Sequence, residues 1–274
     1  MIANARMYSV TPAAAVAWRA LLGRALAQAG LDWEVIEHAA PALLADLWRR
    51  DDLGCVLMCG YPFAKAGERA RRLGGPALQI VAAPLPAPVE FGGRPLYWTE
   101  LVVRGEGPIR RPEHIRGGRI GYTAADSQSG YQAPRHWLAR TLGLQLEIGV
   151  ASTEATLVGP LITPRRVVEA VLAGEVDVGP VDAYALALLR AHEAALVAPL
   201  RTIARTVATA LPLFVASPAV AEQELAALRA ALLDLARCAE AVSDLQCLLL
   251  AGFAIPPRAD YDALLEPDLA STSP

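Results

Sequence analysis

Two rhythms of apolar and polar positions alternate along most of this chain. Short apolar runs of the sort covered on both faces of a sheet are followed by stretches with a three-to-four-residue spacing. Ile2 to Ser9 reads as a first strand, then Thr11 and Pro12 open a helix as N-cap and first helical residue. That helix runs to about Gln28, with Trp18, Leu21, Leu22, Ala25 and Ala29 as its buried stripe and Gly30 ending it. Trp33 to Ile36 is a second strand, and a helix from Pro41 is expected to bury Leu43, Leu44, Leu47 and Trp48. Gly54 to Cys59 is a continuous apolar strand, followed by a helix over about Lys65 to Arg72 and a strand at Ala77 to Val81. This alternation predicts a parallel sheet with helices on both sides.

The texture changes at Ala83 to Pro95, where prolines 84, 86, 88 and 95 and the pair Gly92–Gly93 read as a linker or crossover. Leu96 to Arg104 is a strand. The α/β rhythm restarts at Gly118 and continues through Arg119–Thr123, a helix from Tyr131 carrying Trp137, Leu138 and Leu142, and Gln145–Val150. A helix over Pro164–Leu172, the segment Val176–Pro180 and a helix from Asp182 to His192 come next. Leu196 to Thr206 is extended, Leu211 to Ala216 is a strand, and Pro218 to Leu250 is helical before a Pro-rich and then Ser/Thr-rich tail. The fold class predicted is α/β with two lobes. Residues 1–98 and 213–274 form lobe 1 and 99–212 form lobe 2, with a hinge near 97–104 and 205–213 and a cleft between the lobes where a small ligand binds.

Composition narrows the class. Apolar residues make up 54% of the chain, yet no run of about 18 uncharged apolar residues is present to span a membrane. A formal net charge of −3 offers nothing to nucleic acid or an anionic membrane surface. Lys65 is the only lysine, so nearly every basic contact is a planar, permanently charged guanidinium. Cys55, Cys59, Cys238 and Cys247 read as reduced core thiols, and no Cys/His spacing matches a metal site. The amino terminus lacks the basic segment, apolar core and cleavage site of a secretory signal. The chain is therefore cytoplasmic as written, and periplasmic if a leader was removed.

The candidate chemistry lies at Asp126-Ser-Gln-Ser-Gly130, a small polar loop between a strand and a helix start. Unpaired amides and the helix dipole favour negative charge there, and Ser127, Gln128 and Ser129 add side-chain donors. The same residue types also make an ordinary N-cap loop. Converging donors with no general base or nucleophile point to binding rather than catalysis. None of the four histidines has a metal-binding spacing, and a Ser127–His136–Asp182 triad would aim its imidazole away from the loop.

On these residues the chain resembles the phosphate/phosphite/phosphonate-type solute-binding proteins of ABC transporters, a branch of the type 2 periplasmic-binding-protein fold. The resemblance rests on Asp52–Pro62, Tyr97–Arg104, Ile120–Tyr131 with its Ser127-Gln-Ser-Gly-Tyr131, and Ala170–Asp177 followed by Pro180-Val-Asp182. It implies a protein that closes around a small anion, phosphate, phosphonate or a related oxyanion or carboxylate, as the substrate-binding component of an ABC transporter. The partners implied are that ligand and a transporter permease, with no nucleic acid, no cofactor and no metal; the chain would be a monomer or dimer. It also implies a ligand set of Tyr61, Tyr97, Ser127, Gln128, Ser129, Gly130, Tyr131 and Asp182. Members of the family carry a histidine ahead of the Ala170 segment. Here Val158-Gly-Pro-Leu-Ile-Thr-Pro-Arg-Arg166 stands instead; Thr163 starts a helix and joins the ligand set with Arg165, and one of Arg165 and Arg166 in the first turn is the candidate to take the histidine's place. Two alternatives share the fold. One is a leaderless ligand sensor docking a partner through Arg69, Arg71 and Arg72. The other is a thiamine-precursor-type biosynthetic enzyme, for which Lys65 with Cys59 is the nearest site.

Overall fold

The computed structural model describes residues 1–266. In chain order its elements are β1 (Ile2–Asn4), α1 (Pro12–Gln28), β2 (Glu34–Val35), α2 (Leu44–Trp48), β3 (Leu53–Met58), α3 (Gly60–Leu73) and β4 (Gln79–Pro86). Then come β5 (Leu96–Tyr97), β6 (Thr99–Arg104), β7 (Arg119–Gly121), α4 (Ala133–Leu142), β8 (Thr156–Val158), α5 (Pro164–Ala173), β9 (Gly179–Asp182) and α6 (Ala183–His192). The chain continues with α7 (Ala194–Val197), β10 (Leu200–Arg205), β11 (Thr209–Ala210), β12 (Leu213–Ala216), α8 (Glu222–Asp234), α9 (Val242–Cys247), β13 (Leu250–Ala254) and α10 (Ala259–Asp262). It divides into two compact units, one of Met1–Leu96 with the segment from Thr209 onward, the other of Tyr97–Ala208.

The first unit is built on a six-stranded sheet in the order β13-β4-β12-β3-β1-β2. β1 runs parallel to β2 and β3, whereas β12 is antiparallel to both β3 and β4, and β13 is antiparallel to β4. Alternation along β12 shows how both faces are filled. Leu213 and Val215 join a core of Val56, Met58, Phe63, Ile80 and Tyr261. Phe214, between them, packs edge-on against Trp18 of α1 at 5.8 Å. Such a pair adds about 0.5–1.5 kcal/mol beyond its buried area.

The second unit holds the sheet β10-β6-β9, with β6 antiparallel to both neighbours. The parallel pair β7–β8 joins it through a bridge between Ile120 and Val178. Leu101, Val103, Ile120, Leu138 and Val178 form its core.

Several expected elements differ. The first strand stops at Asn4 because its carboxamide oxygen accepts the Arg6 amide at 2.9 Å, an Asx turn that coils the chain into a 3₁₀ turn at Arg6–Tyr8. The helix expected from Pro41 is only α2, and of its four expected core residues only Leu47 is buried. α3 starts at Gly60 rather than Lys65, tolerating Pro62 in its first turn where no intrahelical donor is needed. β4 continues through Pro84 and Pro86, within the stretch expected as linker. β12 pairs only with Gln79–Ala82 of β4, so beyond that point the strand has β13 alone as neighbour, an edge position at which proline is tolerated.

Gln145–Val150 forms no strand; the strand lies later, at β8. Leu196–Thr206 is not extended throughout, since α7 precedes β10. The long helix expected to Leu250 breaks into α8, two 3₁₀ turns and α9, and its end is the strand β13. In Leu-Ala-Gly-Phe-Ala only Phe253 favours a strand locally; pairing with β4 makes it one. The Ser/Thr-rich tail lies outside the described residues. None of the four cysteines is in a disulfide; Cys55 and Cys59 are buried, whereas Cys238 and Cys247, expected in the core, are only partly buried. Cys59 sits just past β3 as the residue capping α3, and burial pushes the Cys55 thiol up well beyond its ordinary value. Among the described residues no helix is long and apolar enough to cross a membrane.

Candidate functional site

Three parallel strands of the second unit, β7, β8 and β9, end at one edge, and a helix starts after each of them. In α/β sheets this carboxyl edge is where ligands bind. After β7 the chain passes through Tyr122 and Thr123 to a π-helical turn at Gln128–Gln132 that leads into α4. Ser127 caps it, its hydroxyl oxygen accepting the Gly130 amide at 2.9 Å. After β8 comes α5, whose Thr163 cap accepts the Arg166 amide at 3.1 Å. After β9, Asp182 caps α6, its carboxylate accepting the Ala185 amide at 2.9 Å.

Thr123 ties the first two starts together. Its amide donates to Gly130 O at 3.3 Å and its carbonyl accepts from the Ile162 amide at 3.0 Å, one residue before the Thr163 cap. Leu161 N bonds Tyr122 O at 2.8 Å in the same ladder. Ile162 is held at φ 66°, a left-handed conformation that a β-branched residue takes only under constraint. Thr99, at the start of β6, pairs in register with Asp182, and its hydroxyl donates to Ser129 O at 2.8 Å. All three helix starts are thereby joined through Thr99 and Thr123.

The Thr123 hydroxyl has no hydrogen-bond partner among the described residues, although the residue is only 7% exposed. A Cβ at Gly130 would lie 1.8 Å from this oxygen and 2.9 Å from Ser127 Oγ, so both hydroxyls crowd the place a side chain would take. Glycine is required there by contact; its φ is ordinary. Ser127 and Thr163 accept helix amides through their oxygens, which leaves each O–H hydrogen available to donate. The corner thus offers three hydroxyls and first-turn amides, with helix dipoles favouring negative charge.

The sequence-predicted site residues fall into groups. Ser127, Gln128, Ser129, Gly130, Thr163 and Asp182 belong to this corner. The polar loop is not an open surface turn: Gln128–Gln132 are all buried and Ser127 is half-buried. Tyr131 is buried, and its hydroxyl accepts the Ile148 amide at 3.2 Å while Arg135 stacks on its ring, so it braces the 144–150 segment. Arg165 is committed to carboxylates, with Nε 2.9 Å from Glu169 and a second bond to Glu193; Arg166 pairs with Glu175. Hydrogen bonding to Glu193 raises the Arg165 pKa further, so its charge is fully matched by its own neighbours.

Tyr61 lies in the first unit, in the first turn of α3, under the Lys65 ammonium at 5.4 Å. Tyr97 is 1% exposed and begins the second unit, not lobe 1 as expected. Sequence reasoning missed Thr99 and Thr123, each the first or last polar residue beside an apolar strand; that position was the available signal. Among the described residues, no cluster of His, Cys, Asp and Glu is placed to hold a metal ion.

A family model described as the periplasmic substrate-binding protein of phosphonate ABC transporters matches residues 16–261. The chain belongs to that family. No curated protein matches it. Among solved structures, it resembles the binding-protein component of an ABC phosphonate transporter from Pseudomonas aeruginosa, with TM-score 0.76 and 17% identity over 98% of this chain and 85% of that one. It is also similar to PhnD1 from Prochlorococcus marinus in complex with methylphosphonate, with TM-score 0.74 and 16% identity over 97% of this chain and 95% of the other. A third likeness is to XAC2383 from Xanthomonas citri bound to chloride ion, with TM-score 0.68 and 17% identity over 98% and 96%. The α/β architecture of this family member is that of the type 2 periplasmic binding proteins.

Proposed function

We propose that this family member is a solute-binding protein that takes a small oxyanion, a phosphonate or phosphate, at the second unit's helix starts, and serves an ABC transporter as its substrate-binding component. The observation that carries the reading is the buried Thr123 hydroxyl, which has no partner of its own and joins the starts of the π turn and α5. A buried hydroxyl without an acceptor costs about 1–3 kcal/mol, and a ligand oxygen would relieve that cost. First-turn amides and the two cap hydroxyls would complete the donor set, and Asp182 would take any proton or ammonium the ligand carries. Closure at 97–104 and 205–213 belongs to the same reading, as does a transporter permease as partner.

Thermal melting of the full chain with methylphosphonate, inorganic phosphate, sulfate and small carboxylates tests it. A ligand at about 100 times its dissociation constant adds about 2.7 kcal/mol, which raises the melting temperature by roughly 5–10 °C in a chain of this size. A phosphonate or phosphate is expected to give the largest rise. Unchanged melting with every anion, followed by no heat in calorimetric titration, would sink the proposal.

A further inference from the structure

Pro134 follows the buried turn Gln128–Gln132 and denies it a hydrogen-bond donor. The turn is π-helical: the Gln132 amide bonds Ser127 O at 3.0 Å and the Ala133 amide bonds Gln128 O, each five residues back. The next donor in that pattern would belong to residue 134 and serve Ser129 O; in an α-helical pattern it would serve Gly130 O. Proline has no N–H, so neither carbonyl is served from there. Ser129 and Gly130 are both buried, and a buried backbone carbonyl needs a donor from elsewhere.

Two residues outside the turn meet that need. The Thr123 amide donates to Gly130 O at 3.3 Å, and the Thr99 hydroxyl donates to Ser129 O at 2.8 Å. Thr99 is 1% exposed, and its backbone is held from both flanks. Its amide donates to the Thr206 hydroxyl oxygen at 2.9 Å and its carbonyl accepts the Thr206 amide at 3.0 Å, while Asp182 lies opposite it in the sheet. The Thr206 hydroxyl is itself oriented, donating to Val207 O at 3.3 Å. All of these residues belong to the second unit. Thr99 therefore holds Ser129, and the next residue, Gly130, is the one over which the Thr123 and Ser127 hydroxyls crowd.

We propose that Thr99 is a positioning residue for anion binding. Its hydroxyl stands in for the N–H that Pro134 lacks, and so sets where the Ser129–Gly130 backbone meets the Thr123 hydroxyl, without touching the ligand. This rests on the reading of the second unit's helix starts as the anion site and adds a residue that tunes that site's affinity from β6.

Calorimetric titration of the full chain with methylphosphonate and inorganic phosphate, alongside thermal melting, decides it in wild type, Thr99→Val, Thr99→Ser, Thr123→Val and the double variant Thr99→Val/Thr123→Val. Thr99→Val keeps the shape and loses the hydroxyl, and is expected to weaken whichever anion wild type binds about tenfold. Thr99→Ser keeps the hydroxyl and is expected to bind like wild type. Because Thr99 acts through the Thr123–Gly130 contact, the double variant should lose less than the two single losses multiplied together. Equal dissociation constants in wild type and Thr99→Val would overturn the assignment and leave the second unit's site intact. A lower melting temperature with unchanged affinity would also overturn it, reducing Thr99 to a scaffold residue. So would a Thr99→Ser variant as weak as Thr99→Val, or single losses that multiply in full. Should Thr99→Val not fold, Thr99→Ala is read by the same criteria. If wild type binds neither anion, the anion-binding reading falls first and this one with it.

Discussion

The helix starts at Ser127 and Thr163 look alike in sequence and end up in opposite states. Each has a hydroxyl cap accepting the amide three residues on, at 2.9 and 3.1 Å. Around Thr163 the charges that follow are neutralised locally, Arg165 by Glu169 and Glu193 and Arg166 by Glu175. The turn that Ser127 caps, Gln128–Gln132, carries no charged side chain; it is buried, and the adjacent Thr123 hydroxyl is left without a partner among the described residues. Charged side chains on a flexible stem find counter-ions at the surface, whereas a short hydroxyl held by the backbone waits for what is brought to it. The buried hydroxyl left unspent is therefore found beside the Ser127 start, not at the arginine-rich one.

The largest expected effect comes from filling the contact that defines the Ser127 start. Gly130→Ala places a methyl 1.8 Å from Thr123 Oγ1, and overpacking of this kind costs about 1–3 kcal/mol, so thermal melting should fall by several degrees and anion binding should vanish. An unchanged melting curve would mean the two hydroxyls are not fixed over Gly130.

Next in size is the pH response of Glu100, whose side chain is 2% exposed on the strand that begins at Thr99. Burial pushes its carboxyl up, but Thr202, Arg190 and Arg205 outweigh that, and its pKa lies below the ordinary value. The stabilisation is present above the unfolded carboxylate range and is lost as pH falls through the folded pKa. Glu100→Gln should cost about 1–3 kcal/mol near neutrality, and melting curves of the two proteins should converge in acid. A gap independent of pH would contradict this.

Thr123→Val separates site from scaffold. It removes a hydroxyl that bonds nothing in the unliganded chain, so stability should hold or rise slightly, while affinity for the bound anion drops about tenfold, equivalent to about 1.4 kcal/mol. Equal affinity in a titration would make the two helix starts equivalent after all. Smallest is the Thr163 side of the comparison. Thr163→Ala should lose about 1 kcal/mol as a missing cap. Arg165→Ala should change stability by no more than about 1 kcal/mol and leave affinity as it was, since an exposed ion pair contributes little.

Reading the sequence located these starts well and their chemistry unevenly. The Thr11 cap and the helix starts at Pro164 and Asp182 were recognisable because such starts are decided within three or four residues, and Thr11, Thr163 and Asp182 each accept a first-turn amide through the side chain. That Arg165 pairs with Glu193 was not legible, because this second partner is remote in sequence. Thr99 and Thr123 were passed over because their importance comes from Ser129 and Gly130 being folded against them. In the first unit, Pro84 and Pro86 argued locally for a linker, and only the one-sided pairing with β13 makes them strand.

By itself the sequence determined what short-range physics controls: that the runs at β3 and β12 are buried strands, where α1, α5 and α6 begin, and that the polar loop before Tyr131 stands between a strand and a helix. The tertiary structure decided which strands pair, that β13 exists, and which polar groups are spent. Cap bonds close within a single turn of chain, while the partner of Arg165 and the crowding of Thr123 onto Gly130 depend on segments brought together only when the unit packs.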